Sequence, residues 1–535
     1  MKSKINLDKK DFYIVIFLIL ISSLICIPIF NYQILGDLTL YTESAENLHN
    51  HGFYGYIIDG EKVYGTDVPP LFSFVSCLWL IFFEKSVFTV RFTAVFFFAS
   101  CISLSYLFIR CFGLSQKWSI IGSTFIMANP LLFYFTVVIG GNESISTFFF
   151  MLSIFLILFR KHSFKYYGLM GLIIGLYTMT KITAVVIIAP FFIYIIYEYL
   201  KTKKNLSHYL IFSVFSVSFG LWWLIRSYLL TENSPGNLYV KLLTSNHNLI
   251  VSFFQMVFKL YFISIPLFLL VFIPFIIYFV VNLTKNKLSL KIESRNIKFL
   301  KFILFIFVYW TIILSIFPAN SAIIRARQLV PFIPLILIFS FIGMYHFIMN
   351  TNFKIIKKNF YLLSMLLILS FFGVSIWLNY GFIKDSSDKI VSLPRIFPQG
   401  SLHRAQAINW INNNGIDEEI IFSLLYEDTV TNGINLKFHQ YFQNEVIYIP
   451  IKNPDDKFKY KSNINLSNYI NKNKFNFISR KNMFVMSEYD KEKTKKEFDT
   501  ILTTIPDEYF VNLNLVQVYQ TTSKPFIYIY QIEFN

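Results

Sequence analysis

Long apolar runs separated by short basic clusters constrain this chain more than any other feature. A helix that crosses a bilayer needs about 20 consecutive apolar residues, and runs of this kind recur between residues 12 and 380. Hydrophobic residues occupy 55% of the 535 positions and charged residues only 15%, a balance that one aqueous domain cannot accommodate. The sequence therefore predicts an α-helical polytopic membrane protein.

The length criterion predicts about eleven spans. They lie near residues 12–31, 87–109, 118–139, 144–159, 166–180, 182–200, 207–230, 254–282, 299–317, 328–349 and 360–380. The apolar segment from residue 71 to residue 83 is too short to cross a bilayer. We expect it to form an interfacial helix in the outer headgroup layer.

The basic residues indicate which loops face the cytoplasm. If the spans alternate from a cytoplasmic N-terminus, the loops after the second, fourth, sixth, eighth and tenth spans carry the Lys and Arg clusters, as the positive-inside rule requires. The loops assigned outside include residues 31–86, 231–253 and 318–327. This arrangement accounts for the net charge of +17 without nucleic acid and predicts a multi-pass protein of the cell membrane.

The remainder of the chain, residues 381–535, is polar and mixed in pattern. Helical spacing over residues 403–413 and strand-like segments predict a soluble α/β or α+β domain on the outer side. The expected strands are Glu419–Leu425, Val446–Pro450, Phe475–Ser479, Met483–Met486 and Phe526–Phe534. We therefore divide the chain into a transmembrane module, residues 1–380 with its outer loop at 31–86, and an extracytoplasmic domain, residues 381–535.

Asp37 is the first candidate for chemistry. It follows the first span directly, and partial desolvation at a membrane surface makes a carboxylate a stronger base. The neighbouring acidic residues of the same loop are expected to be exposed charges that solvate it; they are Glu43, Glu46, Asp59 and Glu61.

Short motifs along the first two thirds of the chain occur in a characteristic order. They are Asp37 with Tyr41 and Ala45, Asn50-His51-Gly52, Pro69-Pro70, Arg91, Asn129-Pro130, Glu143, Gly171 to Gly175, Thr180-Lys181, Pro190, Trp222 to Tyr228, and Arg325-Ala326-Arg327. Together they resemble the GT-C polytopic glycosyltransferases. The similarity covers roughly residues 10–345 and is greatest to the dolichyl-phosphate-mannose protein mannosyltransferase and aminoarabinose transferase-like family.

This resemblance implies an inverting glycosyltransferase at the outer face of the membrane. The donor would be a sugar on a polyprenyl phosphate, and the acceptor a hydroxyl of a glycan, lipid or protein. The family pattern makes Asp37 the general base and Glu143 a second active-site acid. Cations lower the barrier where phosphate charge develops, which favours Lys181, Arg325 and Arg327 as donor phosphate-binding residues. The substrate cavity is expected to include Tyr41, Tyr64, Asp67, Trp223, Arg226 and Tyr228.

Two departures from the family pattern bear on metal binding and on donor contacts. Many members have Asp-Glu or Asp-x-Asp where this chain has Asp37-Leu38-Thr39, which argues against a metal held by two neighbouring carboxylates. Family members often have a basic residue just before the two prolines. Here Asp67-Val68 precede Pro69-Pro70, so no cation lies at that position to contact the donor phosphate. Because His49 and His51 also lack a third ligand at diagnostic spacing, no cofactor is predicted; a divalent metal is possible but not indicated. Membrane lipids are expected partners.

Two other functions remain as alternatives. A transporter or flippase for lipid-linked glycans would place ionisable residues within its spans and often shows two matching halves, whereas charges here lie mainly at span ends. A polysaccharide polymerase or ligase shares the lipid-linked donor. Such an enzyme usually carries a large late loop rather than an acidic first loop.

Overall fold

The computed structural model divides into two compact units. One comprises residues 1–32, 44–56 and 64–379, and the other comprises residues 33–43, 57–63 and 380–535. The residues that the structure describes are 8–27, 30, 37–58, 61–64, 69–83, 86–138, 141–158, 163–181, 184, 188–202, 206–231, 275–282, 285, 302–303, 305–306, 308–309, 329–350, 359–362, 364–370, 372–373, 410, 421–424, 446–448, 482–487, 490–502, 510–521 and 524–534.

The first two thirds of the chain is mainly helical. Its helices are α1 (Lys9–Ile25), α2 (Asp37–His51), α3 (Leu71–Phe83), α4 (Ser86–Cys111), α5 (Gln116–Met127), α6 (Pro130–Phe133), a π-helix (Tyr134–Val138), α7 (Asn142–Leu158), α8 (Phe164–Thr178), α9 (Ala189–Thr202), α10 (Leu206–Thr231) and α11 (Ile333–Asn350). Strands β1 (Gly55–Ile58) and β2 (Glu61–Tyr64) pair between α2 and α3.

Three helical segments among the described residues are long and apolar enough to cross a membrane: Phe88–Cys111, Leu206–Leu230 and Val330–Asn350. Shorter apolar helices cover Leu71–Phe83, Asn142–Leu158 and Asn359–Ser370. Helix α4 lies at the centre of the helical unit, where it packs against α1, α3, α5 and α7. The expected multi-helix architecture is therefore present, while the count of about eleven spans stays a prediction.

Helices α8 and α10 pack side by side in parallel. Tyr167 stacks on His208 near the start of both helices, and a Cβ built at Gly220 would lie 2.6 Å from Oγ1 of Thr178 near the end of α8. Between these points Gly171 faces the backbone of Phe212. Helix α9 lies between these two helices in the sequence and runs in the opposite direction, so that α8 and α10 can be parallel.

The structure corrects the sequence interpretation at three places. Residues 37–51 form a helix, so Asp37 begins α2 rather than lying in an irregular loop. The expected span at 118–139 is interrupted after Met127 and continues as a π-helix. Of the span expected at 182–200, the structure describes the helix Ala189–Thr202, while residues 182, 183 and 185–187 lie outside the described residues. Glu43, expected to be exposed, is only 6% exposed. Helix formation explains the burial of Glu43, because a helix turns one face of the acidic segment inward.

The C-terminal part of the chain contains a five-stranded sheet. Strands β3 (Ile421–Leu424), β4 (Val446–Tyr448), β5 (Asn482–Ser487), β6 (Phe510–Thr521) and β7 (Lys524–Phe534) are arranged in the order β4-β3-β5-β7-β6. Strand β3 is parallel to β4 and β5, whereas β7 is antiparallel to β5 and β6. Helix α12 (Lys491–Leu502) follows β5.

Four of the expected strands therefore overlap observed strands, and β6 was missed. The expected strand at 475–479 and nearly all of the expected helix at 403–413 lie outside the described residues.

Candidate active site

Several connections of the helical unit meet at one end of the bundle. The N–H of Leu71, at the start of α3, donates to the carbonyl of Met179, just after α8. The start of α7 reaches the same region through Glu143, which contacts Lys181. The ring of Phe74 in α3 lies 6.1 Å from that of Trp222 near the end of α10. These are the connections that the basic-residue pattern assigns to the outer side.

Lys181 is held in a tight turn directly after α8. The hydroxyl and the N–H of Thr180 both donate to the carbonyl of Tyr177, at 2.6 and 3.0 Å. The carbonyl of Lys181 accepts from the N–H of Ala184 at 2.9 Å. These contacts, together with the bond from Leu71 to Met179, determine where the lysine backbone lies.

Glu143 lies in the first turn of α7. Gly141, immediately before the helix, has φ of +80°, a conformation that favours glycine. The hydroxyl of Ser144 donates to the Gly141 carbonyl at 2.8 Å and closes this turn. An acidic residue in the first turn also interacts favourably with the helix dipole. The local sequence thus explains why α7 begins here and why an acidic residue is favoured in its first turn.

Glu143 and Lys181 form a buried ion pair. Nζ of Lys181 donates to Oε1 of Glu143 at 3.1 Å, and the side chains are 15% and 1% exposed respectively. The two residues are 38 positions apart, so only the fold brings them together. Removing one member of such a pair leaves a charge that is costly in a poorly solvated site, typically by about 3–5 kcal/mol.

A second polar cluster involves α10 and the segment after α2. Nη2 of Arg226 donates to the Tyr54 carbonyl at 3.2 Å, and its guanidinium carbon lies 5.5 Å from the centre of the Tyr54 ring. Trp223 is 2% exposed, and its indole N–H has no hydrogen-bond partner among the described residues. Tyr228 is 58% exposed and lies about 140° around α10 from Trp223.

Some of the other candidate residues lie in described helices or strands, and the rest lie outside the described residues. Asp37 is the first residue of α2, and Tyr41, one turn later, is 5% exposed. Tyr64 is the last residue of β2. Asp67, Arg325 and Arg327 lie outside the described residues. Among the residues that the structure describes, no three His, Cys, Asp or Glu side chains come together as a metal site requires.

Two residues for which the sequence predicts no role also make contacts in this region. Tyr54 contacts Arg226 through its carbonyl and its ring, and no motif in the sequence distinguishes it. Arg91 is 1% exposed within α4 and donates from Nη1 to the Val137 carbonyl at 2.9 Å. The sequence does carry a signal for Arg91, because an ionisable residue inside a predicted span is a functional candidate by default.

Comparisons with known proteins agree with this architecture. Residues 67–223 match the family model for dolichyl-phosphate-mannose-protein mannosyltransferase. This segment includes Arg91, Glu143, Lys181 and Trp223 and begins after Asp37. Among curated proteins, no significant sequence match is found.

The fold is similar to that of ArnT from Cupriavidus metallidurans. The crystal structure bound to undecaprenyl phosphate aligns with a TM-score of 0.54 and 10% identity, over 97% of both chains. The apo structure aligns with the same TM-score and coverage at 9% identity. The archaeal oligosaccharyltransferase AglB from Archaeoglobus fulgidus aligns at a TM-score of 0.45 and 12% identity, over 97% of this chain and 74% of AglB.

The family model and the ArnT-like fold confirm the resemblance inferred from the motifs. Residues 67–223 thus match the model of the dolichyl-phosphate-mannose-protein mannosyltransferase family, and the fold of the chain is similar to that of ArnT.

Proposed function

We propose that this protein transfers a sugar from a polyprenyl-phosphate donor to an acceptor hydroxyl at the outer face of the cell membrane. The observation that carries the proposal is the buried pair of Glu143 and Lys181 at the end of the bundle where the loops assigned outside converge. A positioned cation is what the developing charge of a leaving phosphate requires. The undecaprenyl phosphate bound in the ArnT crystal structure supports the same donor class.

In the proposed reaction, the acceptor oxygen attacks the anomeric carbon while its proton passes to Asp37. The bond from that carbon to the lipid phosphate breaks, and the phosphate leaves with the bonding electrons. Attack from the face opposite the phosphate inverts the anomeric configuration. Asp37 is thus proposed as the general base, and Lys181, Arg325 and Arg327 as the cations that face the phosphate.

The ion pair favours a positioning role for Glu143. A carboxylate that accepts from Lys181 at 3.1 Å holds the ammonium group in place, which differs from the second active-site acid suggested by the family pattern. The proposed cavity around the phosphate comprises Tyr41, Tyr64, Asp67, Trp223, Arg226 and Tyr228.

The decisive test is Asp37→Asn in the purified full-length protein. The amide is nearly isosteric with the carboxylate but cannot take the acceptor's proton, so we expect transfer to fall by about 10²- to 10⁴-fold. The assay follows undecaprenyl phosphate released from a panel of undecaprenyl-phosphate sugars, because this product is the same whichever sugar is carried. Expression, thermal stability and undecaprenyl phosphate binding are measured in parallel.

Glu46→Gln is the matched control and should retain near-normal transfer. Glu43→Gln is unsuitable as a control because that side chain is buried. Full activity of Asp37→Asn would remove the proposed base. Absence of transfer by the wild-type protein, accompanied by movement of the lipid-linked sugar across vesicle membranes, would favour the flippase instead.

A further inference from the structure

Arg91 is a buried cation near the start of α4 that the proposed reaction does not yet use. It is 1% exposed, although a charged side chain within a membrane helix is costly and is retained mainly where it has a role. Its guanidinium group donates from Nη1 to the carbonyl of Val137 at 2.9 Å. The contact joins α4 to a segment 46 positions later in the chain.

The acceptor of this bond belongs to an unusual segment. Residues Tyr134–Val138 form a π-helix, a form that is rare and frequently found at functional sites. The segment follows the break at Asn129-Pro130, where Oδ1 of Asn129 accepts from the N–H of Leu132 at 2.9 Å. The last carbonyls of a helix need hydrogen-bond donors from outside it. Arg91 supplies one such donor at Val137.

The π-helix leads directly to the proposed phosphate site. Six positions separate Val137 from Glu143; residues 139 and 140 lie outside the described residues, and Gly141, directly before α7, has φ of +80°. Helix α7 then begins at Asn142, and Glu143 holds Lys181 at 3.1 Å. Because the stretch of chain between them is short, we expect a shift of the Val137 carbonyl to alter the position of the carboxylate that orients the lysine.

We propose that Arg91 is a positioning residue for the donor phosphate. By holding the end of the π-helix, Arg91 determines where α7 begins, and thereby where Glu143 places the ammonium group of Lys181. This inference rests on the proposed contact between Lys181 and the lipid phosphate. Arg91 is proposed to act on the donor through Lys181, without contacting the donor directly.

The test is a double-mutant cycle with undecaprenyl phosphate as the probe. Its affinity is measured by native mass spectrometry for full-length wild type, Arg91→Met, Lys181→Met and the double variant. We expect each single change to weaken binding roughly tenfold, and Arg91→Met to add less than about twofold once Lys181 is absent. Methionine approximates the length of arginine but cannot donate to the Val137 carbonyl.

Two further variants separate positioning from a general effect on the fold. Arg91→Lys keeps a donor on a long side chain and should recover much of the affinity. Thr93→Val removes another buried contact of α4, the 3.0 Å bond from Ser76 to Thr93, and should leave affinity unchanged. If Arg91→Met does not fold, Arg91→Gln, whose side chain is too short to reach the Val137 carbonyl in the same way, is taken through the same cycle; a loss that disappears without Lys181 supports the proposal, and unchanged affinity overturns it.

The possible failures can be told apart. If the effects of Arg91→Met and Lys181→Met multiply, Arg91 acts independently of the lysine and the inference is overturned. Wild-type affinity in Arg91→Met would overturn it as well. If wild-type protein does not bind the probe, or if Lys181→Met binds it normally, the proposed function fails first and the inference fails with it.

Discussion

Gly171→Ala should destabilise the protein by forcing α8 and α10 apart. A Cβ at this position would clash with the carbonyl oxygen of Phe212 and lie 3.0 Å from its Cα. Both are backbone atoms of a packed helix and cannot rotate away. Inserting a methyl group into a filled interface typically costs about 1–3 kcal/mol, whereas replacing Gly by Ala in a helix returns only about 1 kcal/mol. We therefore expect a net loss of up to about 2 kcal/mol.

Gly168→Ala is the matched control on the same helix. A Cβ there would meet Cγ1 of Ile211 at 3.6 Å, an ordinary van der Waals contact. The helix-propensity gain then stands alone, so this variant should be neutral or more stable by up to about 1 kcal/mol. The two substitutions make the same chemical change three residues apart, with opposite expected signs.

The assay is thermal unfolding of the purified variants in one detergent, with undecaprenyl phosphate binding as the second readout. Gly171→Ala should unfold at a lower temperature than wild type, and Gly168→Ala at an equal or higher one. Because α8 leads into Lys181, we also expect weaker binding of the probe by Gly171→Ala. Equal unfolding temperatures for both variants, or a more stable Gly171→Ala, would refute the close approach of α8 and α10.

Two further predictions concern the opposite end of the bundle and the topology. Burial alone would raise the pKa of Asp11, which precedes the first predicted span, but hydrogen bonds from Arg110 and Tyr106 outweigh burial and lower it to about 2. Asp11→Asn should therefore cost about 3 kcal/mol near neutral pH. The contribution of Asp11 should be complete above about pH 4 and decline as the pH falls towards 2, which unfolding measured against pH will check. Single cysteines at positions 290 and 460 of a cysteine-free protein test the orientation: an impermeant thiol reagent should label 460 and not 290 in intact cells.

Apolar run length made the helical architecture predictable, and motif order made predictable the family that residues 67–223 match. The long helices α4, α10 and α11 coincide with expected spans because a run of about 20 apolar residues is stable only when removed from water. Alternating patterns likewise predicted β3, β5 and β7 within a few residues. These signals are local, and each can be read without knowledge of the fold.

The features that the sequence did not predict depend on contacts between distant segments or on local competition. Glu43 is buried because the acidic stretch folds as a helix, and composition alone favoured an exposed loop. The π-helix at 134–138 has no motif beyond the preceding Asn129-Pro130. The bond from Glu143 to Lys181 joins α7 to the segment after α8, and neither residue's surroundings in the sequence specify the other.

The end of α8 is positioned by three elements with independent sequence signals. The start of α3 after Pro70 contacts Met179, Gly220 of α10 allows close approach to Thr178, and Glu143 of α7 holds Lys181 itself. Electrostatic stabilisation of a leaving group is effective only when the charge is already in place before the reaction, since reorganisation would cost free energy at that moment. A lysine on a flexible stem meets this requirement only if its surroundings immobilise it. The convergence of three elements on residues 178–181 is therefore the feature of this fold that best fits the proposed role of Lys181 as a cation facing the donor phosphate.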